Sequence, residues 1–269
     1  MISTDMKEKI LTNLTTECPW RDTLYWYTAT DSTNTQAKLM AKQGAPQGTV
    51  LIAGHQTGGR GRMGRTFQSP AGMGVYLSLI LRPNCKPEHL MHLTCAAGVA
   101  MMDAVEKVSG IRPQVKWIND LVINGRKLGG ILTEMSLDKG LVDFAVIGIG
   151  INCLQKETDF PEEIAGLATS LSLAAGKDIA PEELAAAMVE ALWAMSQDLL
   201  VKKAQIMTAY KGNCITLGKD VQVIRGDRIL PGKAIDLDDT GGLLVVYPDG
   251  TAETVSSGEV SVRGMYGYV

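Results

Sequence analysis

The segment Val142-Asp-Phe-Ala-Val-Ile-Gly-Ile-Gly-Ile151 decides the fold class, because it is almost continuously apolar. A strand with one face in water alternates apolar and polar residues, whereas a strand covered on both faces is a nearly unbroken apolar run. The segment therefore predicts the central strand of a sheet, with further elements packed on both of its faces.

Other strands are predicted upstream of this run. Residues 115–117 and 127–134 flank Asn124-Gly125, a strong hairpin signal because both residues tolerate a positive φ, so the two segments are expected to pair antiparallel. Thr49-Val-Leu-Ile-Ala53 and the run from Gly74 to Leu81 are two more apolar stretches of strand length. Together these segments predict a sheet of several strands.

Helical spacing occurs between and after these strands. Apolar residues recur on one side of residues 90–108, and a second stripe runs from Leu184 to Leu199 behind Pro181, a residue favoured in the first turn of a helix. Shorter helices are expected over residues 6–15 and from Asp31 onward. Residues 1–214, of which 1–30 form a lead-in, are therefore predicted to be one α+β domain.

The pattern changes after residue 214. Short alternating apolar runs follow one another at Val221/Val223, Leu243/Val245 and Val260/Val262. Turn sequences separate them at the regular spacing that is typical of a small all-β unit. Residues 215–269 are therefore predicted to form a compact barrel of about five strands.

Composition excludes several classes of protein. The chain has 269 residues, 45% hydrophobic and 20% charged, and its net charge of −3 argues against a generic nucleic-acid binder. No apolar run reaches the roughly 18 residues of a membrane span. Charged residues occupy the N-terminal stretch where a signal peptide would be apolar, so a cytoplasmic location is expected. Five cysteines without a CxxC pair predict reduced, mostly buried thiols.

The loop Gly58-Gly-Arg60-Gly-Arg62-Met-Gly-Arg65 is the most informative segment for function. Its guanidinium groups and backbone amides suit the binding of an anion. The loop matches GxGxxG, but residues 66–72 do not favour the helix that a Rossmann fingerprint opens, and the chain has no P-loop. A solvated turn and an arginine-glycine patch for nucleic acid are alternatives. The position between two buried strands, with Phe67 following, favours a mobile cover over a nucleotide.

Five further motifs accompany that loop, namely Asp31-Ser-Thr-Asn34, Gln56, Lys116-Trp-Ile-Asn-Asp120, Arg126-Lys-Leu-Gly-Gly130 and Gly148-Ile-Gly-Ile-Asn152. In order and spacing the set resembles the biotin protein ligase family, from Asp31 to Leu171 and on into a C-terminal SH3-like barrel. The resemblance implies an α+β fold, with a mixed-sheet catalytic domain of the class II aminoacyl-tRNA synthetase and biotin ligase type.

The resemblance also implies an activity and its partners. Biotin and ATP, with Mg²⁺, would form biotinyl-5′-AMP and pyrophosphate, and the biotinyl group would pass to a lysine of a biotin carboxyl carrier protein. No tightly bound prosthetic group and no membrane partner are expected. Some family members carry an N-terminal DNA-binding domain, for which too few residues precede Asp31. A monomer or homodimer without specific DNA binding is therefore predicted.

The same resemblance assigns roles to individual residues. Arg62 and Lys127 are expected to be catalytic, near the biotin carboxylate and the α-phosphate. Contacts to biotin are expected from Ser32, Thr33, Asn34, Gln56, Gly59, Arg60, Gly61, Arg62, Lys127, Gly129 and Gly130. Contacts to ATP are expected from Arg62, Arg65, Phe67, Asn119, Asp120, Lys127 and Asn152, with Asp120 the candidate metal ligand.

Alternatives remain for two of these positions and for the activity. Asn34 suits a helix cap as well as a ligand contact, and Trp117 suits the core better than a ligand role. Ile118 and Phe67 stand where the family commonly has proline and tryptophan, and neither change removes a charge. A lipoate or octanoyl transferase is the nearest enzymatic alternative, and a non-catalytic binder of biotin or carrier is the alternative from another class.

Overall fold

A computed structural model of the chain describes residues 3–256 and 261–264. A mixed sheet of seven strands forms its larger part, in the spatial order β1-β2-β3-β7-β6-β5-β4. These strands are β1 (Leu24–Tyr27), β2 (Thr49–Ala53), β3 (Gly74–Leu81), β4 (Gln114–Lys116), β5 (Asp120–Ile123), β6 (Arg126–Asp138) and β7 (Leu141–Asn152). The β1–β2 pair is parallel and the other pairs are antiparallel.

The predicted central strand is confirmed, because β7 occupies the fourth of the seven positions. Its side chains alternate between two cores. Phe144 and Val146 pack against the helix that follows β1, which contributes Ala37 and Ala41. Ala145 and Ile147 join the larger core on the opposite face. Both faces are therefore covered, which is why the strand is apolar at consecutive positions.

Helices occupy both sides of this sheet. They are α1 (Ser3–Asn13), α2 (Thr33–Lys42), α3 (Leu93–Ser109), α4 (Glu162–Ala165), α5 (Leu171–Ala175), α6 (Pro181–Asp198) and α7 (Lys203–Gly212). Helix α2 packs on β2, β3 and β7, while α3 packs on α6, α7 and β6. The helices predicted from Asp31, over 90–108 and after Ala180 are confirmed. Helix α2 begins two residues after Asp31, because Ser32 is still extended. Helix α3 begins three residues later than predicted, because a turn at Pro87–Leu90 precedes it.

The expected pairing of 115–117 with 127–134 is wrong. The segment Asp120–Ile123 lies between them as β5, and it pairs with both β4 and β6. The hairpin signal itself is confirmed, since Asn124 and Gly125 have φ of 51° and 73°. A turn that tight joins only the residues directly before and after it, so β5 takes the place beside β6 and β4 becomes the outer strand.

The C-terminal part is a five-stranded antiparallel sheet in the order β11-β10-β9-β8-β12. Its strands are β8 (Asp220–Arg225), β9 (Arg228–Leu237), β10 (Leu243–Val246), β11 (Ala252–Val255) and β12 (Ser261–Gly264). The small all-β unit is thus confirmed, and Val260, named in its prediction, lies outside the described residues. The exact residue at which one domain passes into the other stays a prediction.

Trp117 joins the two parts of the molecule. The indole is buried, and its Nε1 donates to the carbonyl oxygen of Gly241 at 2.8 Å. Its backbone N donates to Thr216 Oγ1 at 2.9 Å. The preference for Trp117 as a core residue is therefore supported, and the C-terminal sheet is held against the strand that leads to Asn119 and Asp120.

Two further expectations concern the core and the surface. All five cysteines are buried free thiols, as the sequence predicts. Within residues 3–256 and 261–264, no helix combines the length and the apolar character needed to cross a membrane.

Candidate active site

Two adjoining cavities lie along the edge of loop 58–67. The first, with about 860 Å³ of empty space including its opening, lies between this loop, the start of α2 and the middle of β6 and β7. The second, with about 1940 Å³, extends from the loop past β5 to residues 155–168 and to Gln222 of the C-terminal sheet. The residues that line both cavities, here called the shared wall, are Arg62, Arg65, Thr66, Phe67, Asn119, Asp120 and Lys127.

The predicted ligand residues divide between the cavities in the expected sense. Seven of the nine residues assigned to biotin alone line the first cavity, namely Ser32, Thr33, Asn34, Gln56, Arg60, Gly61 and Gly130. All those assigned to ATP line the second, where Asn152 joins six members of the shared wall. Arg62 and Lys127, the two candidate catalytic residues, line both. The individual ligand contacts stay predictions.

Gly59 and Gly129 line neither cavity. A Cβ on Gly129 would lie 2.3 Å from the carbonyl oxygen of Gly150, and one on Gly59 would lie 2.2 Å from that of Phe67. These glycines therefore let neighbouring backbone segments approach closely behind the cavity wall. The structure supports this packing role for both residues, whereas their predicted contact with biotin is untested.

Buried polar side chains are joined to one another along the first cavity. The backbone N and the Oγ1 of Thr33 donate to Gln56 Oε1 at 2.9 and 3.1 Å. Gln56 Nε2 in turn donates to Ser69 Oγ at 2.8 Å. Because one end of the Gln56 amide accepts and the other donates, its orientation is fixed before any ligand binds.

Asn34 is not the cap of helix α2, so that alternative is wrong. Ser32 takes the N-cap position with an extended backbone, and Asn34 is the second residue of the helix. The Asn34 side chain is buried, with Nδ2 donating to Glu134 Oε2 at 3.0 Å and Oδ1 accepting from Ser78 Oγ at 2.6 Å. Tertiary partners from two strands thus hold Asn34 at the floor of the first cavity.

Two glycines of β7 make room for that floor. Successive side chains of a strand alternate between faces, so Gly148 and Gly150 continue the face of Phe144 and Val146. A Cβ on Gly148 would lie 1.9 Å from Asn34 Oδ1, and one on Gly150 would lie 2.4 Å from the Phe67 ring. The Gly-Ile-Gly sequence therefore keeps one face apolar and bulky while it opens the other for polar and aromatic groups.

Loop 58–67 folds back on itself beside the shared wall. Gly61 N donates to the Arg65 carbonyl oxygen at 2.7 Å, and Phe67 N donates to that of Gly59 at 2.9 Å. Arg62 points inward, and its Nη1 donates to Asn119 Oδ1 at 3.1 Å. Burial lowers the pKa of Arg62 and the charge of Asp120 opposes that shift, and the guanidinium remains charged at neutral pH.

Lys127 forms the opposite side of the shared wall. Its Nζ donates to Asp120 Oδ1 at 2.7 Å, which forms an ion pair across the β5–β6 hairpin. The Lys127 backbone is fixed as well, since its N donates to the Leu167 carbonyl oxygen and its own carbonyl accepts from Thr169 N. The ammonium carries three N–H groups, so this ion pair leaves donors for an anionic ligand.

The second cavity combines buried amides with apolar surface. Asn152 is buried, with Nδ2 donating to the Thr169 carbonyl oxygen and Oδ1 accepting from Gln155 Nε2, both at 3.1 Å. Phe160, Ile164 and Leu167 form an apolar rim. This combination of amides, apolar surface and the cations of the shared wall suits a base with attached phosphates.

Ser78 and Glu134 belong to the site but escape the sequence argument. Neither lines a cavity, and each acts on Asn34 from a strand far away in sequence. The register of β6 and β7 provides the missing signal, because Glu134 lies opposite Val146, two pairs from Gly148 on the same face. Only the tertiary pairing shows that this strand glutamate faces the start of α2.

The shared wall offers a single carboxylate, that of Asp120, as a ligand for Mg²⁺. No group of three His, Cys, Asp or Glu side chains is arranged for a metal in the described part of the chain. Asp120 provides one carboxylate, which also accepts from Lys127. Mg²⁺ commonly binds to one or two carboxylates together with substrate phosphates, so this set fits an ion that arrives with a nucleotide.

Comparison with known proteins agrees with the fold. The model of the Biotin/lipoate A/B protein ligase family matches residues 26–152, and that of the Biotin protein ligase C terminal domain matches residues 216–263. The first match defines the broader class of ligases. The second is confined to the five-stranded sheet.

Individual relatives make the assignment specific. The chain is 36% identical to Bifunctional ligase/repressor BirA of Bacillus subtilis, over 87% of this chain and 72% of the relative. It is 35% identical to Biotin--[acetyl-CoA-carboxylase] ligase of Mycobacterium tuberculosis, over 86% and 85%. The structure of biotin protein ligase from Aquifex aeolicus in complex with biotin and ATP superposes with a TM-score of 0.75 at 31% identity, over 90% and 98%.

The chain therefore belongs to the biotin protein ligase family. Its activity is that of a biotin protein ligase, which proceeds through biotinyl-5′-AMP.

Proposed function

We propose that the first cavity holds biotin, that the second holds ATP, and that the two substrates react at the shared wall. The observation that carries this proposal is that two cations, Arg62 from loop 58–67 and Lys127 from β6, both belong to the shared wall between the two cavities. The relative from Aquifex aeolicus, whose structure contains biotin and ATP, supports binding of both substrates here.

The first step joins two anions, so their repulsion dominates the barrier. A biotin carboxylate oxygen attacks the α-phosphorus of ATP, a P–O bond forms, and the bond to pyrophosphate breaks. Arg62 and Lys127 supply positive charge at the point of attack, and their bonds to Asn119 and Asp120 hold them in place beforehand. Cations that are already oriented need no reorganisation during the reaction and therefore stabilise the transition state.

The polar groups of the first cavity match the head of biotin. The ureido ring is neutral and offers two N–H donors and one carbonyl acceptor, and Ser32, Thr33 and Gln56 offer compact donors and acceptors. Gly61 and Gly130 leave room for the bicyclic ring beside the loop and β6. Arg60 lies at the edge of this cavity, where its side chain is about half exposed.

The nucleotide meets a different surface. Arg65 and Phe67 offer a cation and an aromatic ring, and Asn152 lies further inside the second cavity. Mg²⁺, when bound, would neutralise phosphate charge, and Asp120 is the residue of this chain that would hold it. Asp120 also keeps Lys127 directed at the shared wall through their ion pair.

The second step transfers the biotinyl group to a biotin carboxyl carrier protein. The lysine ε-amine of the carrier attacks the acyl carbon, an amide bond forms, and AMP leaves. The Mycobacterium tuberculosis relative, named as a ligase for acetyl-CoA carboxylase, supports a carrier of this class.

The proposal is tested by incubating the protein with ATP, biotin and a carrier domain. We expect pyrophosphate release that depends on biotin, together with biotin attached to the carrier lysine. Lipoate or octanoate in place of biotin should give neither product. Transfer of lipoate with equal efficiency would reassign the first cavity to the alternative transferase function.

A further inference from the structure

Glu134 lies on β6, outside both cavities, and its carboxylate contacts three side chains, those of Asn34, Lys38 and Arg60. Lys38 Nζ donates to its Oε1 at 2.7 Å, and Arg60 Nη1 lies 3.4 Å from the same oxygen. Asn34 Nδ2 donates to Oε2 at 3.0 Å. Asn34 and Arg60 both line the first cavity, so one carboxylate connects its floor with loop 58–67.

The Glu134 carboxyl group is ionised at neutral pH. Burial alone would raise its pKa, but the hydrogen bonds from Lys38 and Asn34 and the positive charges of Lys38 and Arg60 outweigh burial and lower the pKa. An ionised carboxylate only accepts hydrogen bonds. Asn34 must therefore present its NH₂ group to Glu134 and its oxygen to the other side.

That orientation makes Asn34 Oδ1 an acceptor behind the cavity. Asn34 Oδ1 accepts from the Ser78 hydroxyl at 2.6 Å, and Ser78 Oγ also lies 2.8 Å from Thr33 Oγ1. Thr33 in turn donates to Gln56 Oε1 through both its backbone N and its hydroxyl. Glu134 thus stands at one end of a chain that reaches three cavity residues, Asn34, Thr33 and Gln56.

We propose that Glu134 is a positioning residue that determines specificity for the ureido ring. It holds Asn34 with its NH₂ group toward β6 and its oxygen toward Ser78 at the floor of the first cavity, and it anchors loop 58–67 through Arg60. This inference rests on the proposed binding of biotin in the first cavity. A neutral side chain of the same size at this position would leave the cavity volume intact but would weaken the contacts that hold Asn34 and Arg60.

The test compares Glu134→Gln with a matched control, Glu190→Gln. Glu190 is also a partly buried glutamate, with side-chain exposure of 17% against 24% for Glu134. It accepts from Thr15 N at 2.7 Å and pairs with Lys107, and its pKa is lowered as well. It lines neither of the two active-site cavities, so it reports the general effect of removing a buried, paired charge.

Two ligands are used, biotin and iminobiotin, in which an imine nitrogen replaces the ureido oxygen. In Glu134→Gln we expect the Kd for biotin to rise at least about tenfold, the size of effect produced by losing one charge-assisted hydrogen bond. The preference for biotin over iminobiotin should fall, while the KM for ATP stays within about twofold. Glu190→Gln should leave both Kd values unchanged.

A second variant, Lys38→Met, removes one cation from Glu134 without altering a cavity residue, and a smaller rise in the Kd for biotin is expected. Equal loss of affinity for both ligands, or the same loss in Glu190→Gln, would overturn the positioning role. Unchanged binding in a folded Glu134→Gln or Lys38→Met protein would also overturn it. Failure of the wild type to release pyrophosphate with biotin and ATP would instead refute the proposed function.

Discussion

The two cavities differ in how their walls are held. Around the first, Thr33, Asn34 and Gln56 are bonded to one another or to buried neighbours in a continuous chain. Around the second, Asn152 bonds to Gln155 and to the Thr169 carbonyl oxygen beside an apolar rim, and Gln222 comes from the other sheet. Under the proposed function, a small neutral ring is recognised by fixed dipoles, whereas a nucleotide is held by charge and by apolar surface.

The shared wall belongs to both cavities, so its residues Arg62 and Lys127 would act on both substrates. Substitutions there should affect the chemical step, and substitutions on one side should affect one substrate.

Lys127→Ala should have the largest effect. It removes the cation at the reacting phosphate and leaves Asp120 without its ion-pair partner. Loss of one such preorganised group costs about 10²- to 10³-fold in rate. Single-turnover formation of biotinyl-5′-AMP measures this loss. Lys86→Ala, at an exposed lysine outside both cavities, is the control and should adenylate at the wild-type rate. If Lys127→Ala forms adenylate as fast as that control, its assigned role is wrong.

Arg62→Ala should weaken adenylate formation or retention roughly 10- to 150-fold, the range for one charge-assisted bond of about 1.5–3 kcal/mol. The Arg62–Asn119 hydrogen bond is lost with the guanidinium, so both substrates should be affected. The rate of adenylate formation and the rate of its release are measured separately. A change in the KM for ATP alone would place Arg62 on the nucleotide side only.

Two substitutions in one strand should separate the cavities. Gly148→Ala meets Asn34, which lines only the first cavity, whereas Gly150→Ala meets Phe67, which lines both. Overpacking of this kind costs about 1–3 kcal/mol. Calorimetric titration should show weaker biotin binding in Gly148→Ala with ATP binding retained, and weaker binding of both in Gly150→Ala.

Gly212→Ala provides the control for both glycine variants, because a Cβ there meets no atom within 4 Å. It should bind both substrates like the wild type. Equal loss of ATP binding in Gly148→Ala and Gly150→Ala would show that the two cavities are not independent.

The smallest effect is expected from thiol reagents, which probe the nucleotide side next to Asn152. Burial raises the pKa of Cys153 to about 12, and it also raises the pKa of Cys214. A thiol with a raised pKa stays protonated and unreactive at pH 8. Native protein should therefore keep full activity with a chromogenic disulfide, and all five thiols should react after unfolding. Rapid loss of activity in native protein would show that the wall near Cys153 opens.

Much of the fold follows from the sequence because the main strands carry local signals. The run 142–151 indicates a strand covered on both faces, and β7 is that strand. The pairing of β4 could not be read in the same way. Residues 120–123 are too short a run to distinguish from the turn beside them, so only the tertiary arrangement shows a third strand in the hairpin.

The site was predictable where chemistry is concentrated in short motifs, as in loop 58–67. Asn34 shows the limit of that approach, since a helix cap and a buried ligand residue have the same local sequence. What decides between them is Glu134, a hundred residues away along the chain. Gly148 likewise has no visible role until α2 is packed against β7.

The measurement that tests the proposed reaction most directly follows the oxygen atoms of the biotin carboxylate. Biotin labelled with ¹⁸O in both carboxylate oxygens is incubated with the protein, ATP and hydroxylamine as acyl acceptor, and the products are analysed by mass spectrometry. If the carboxylate attacks the α-phosphorus, AMP should carry one ¹⁸O and pyrophosphate none. Unlabelled AMP, or label in pyrophosphate, would contradict the account.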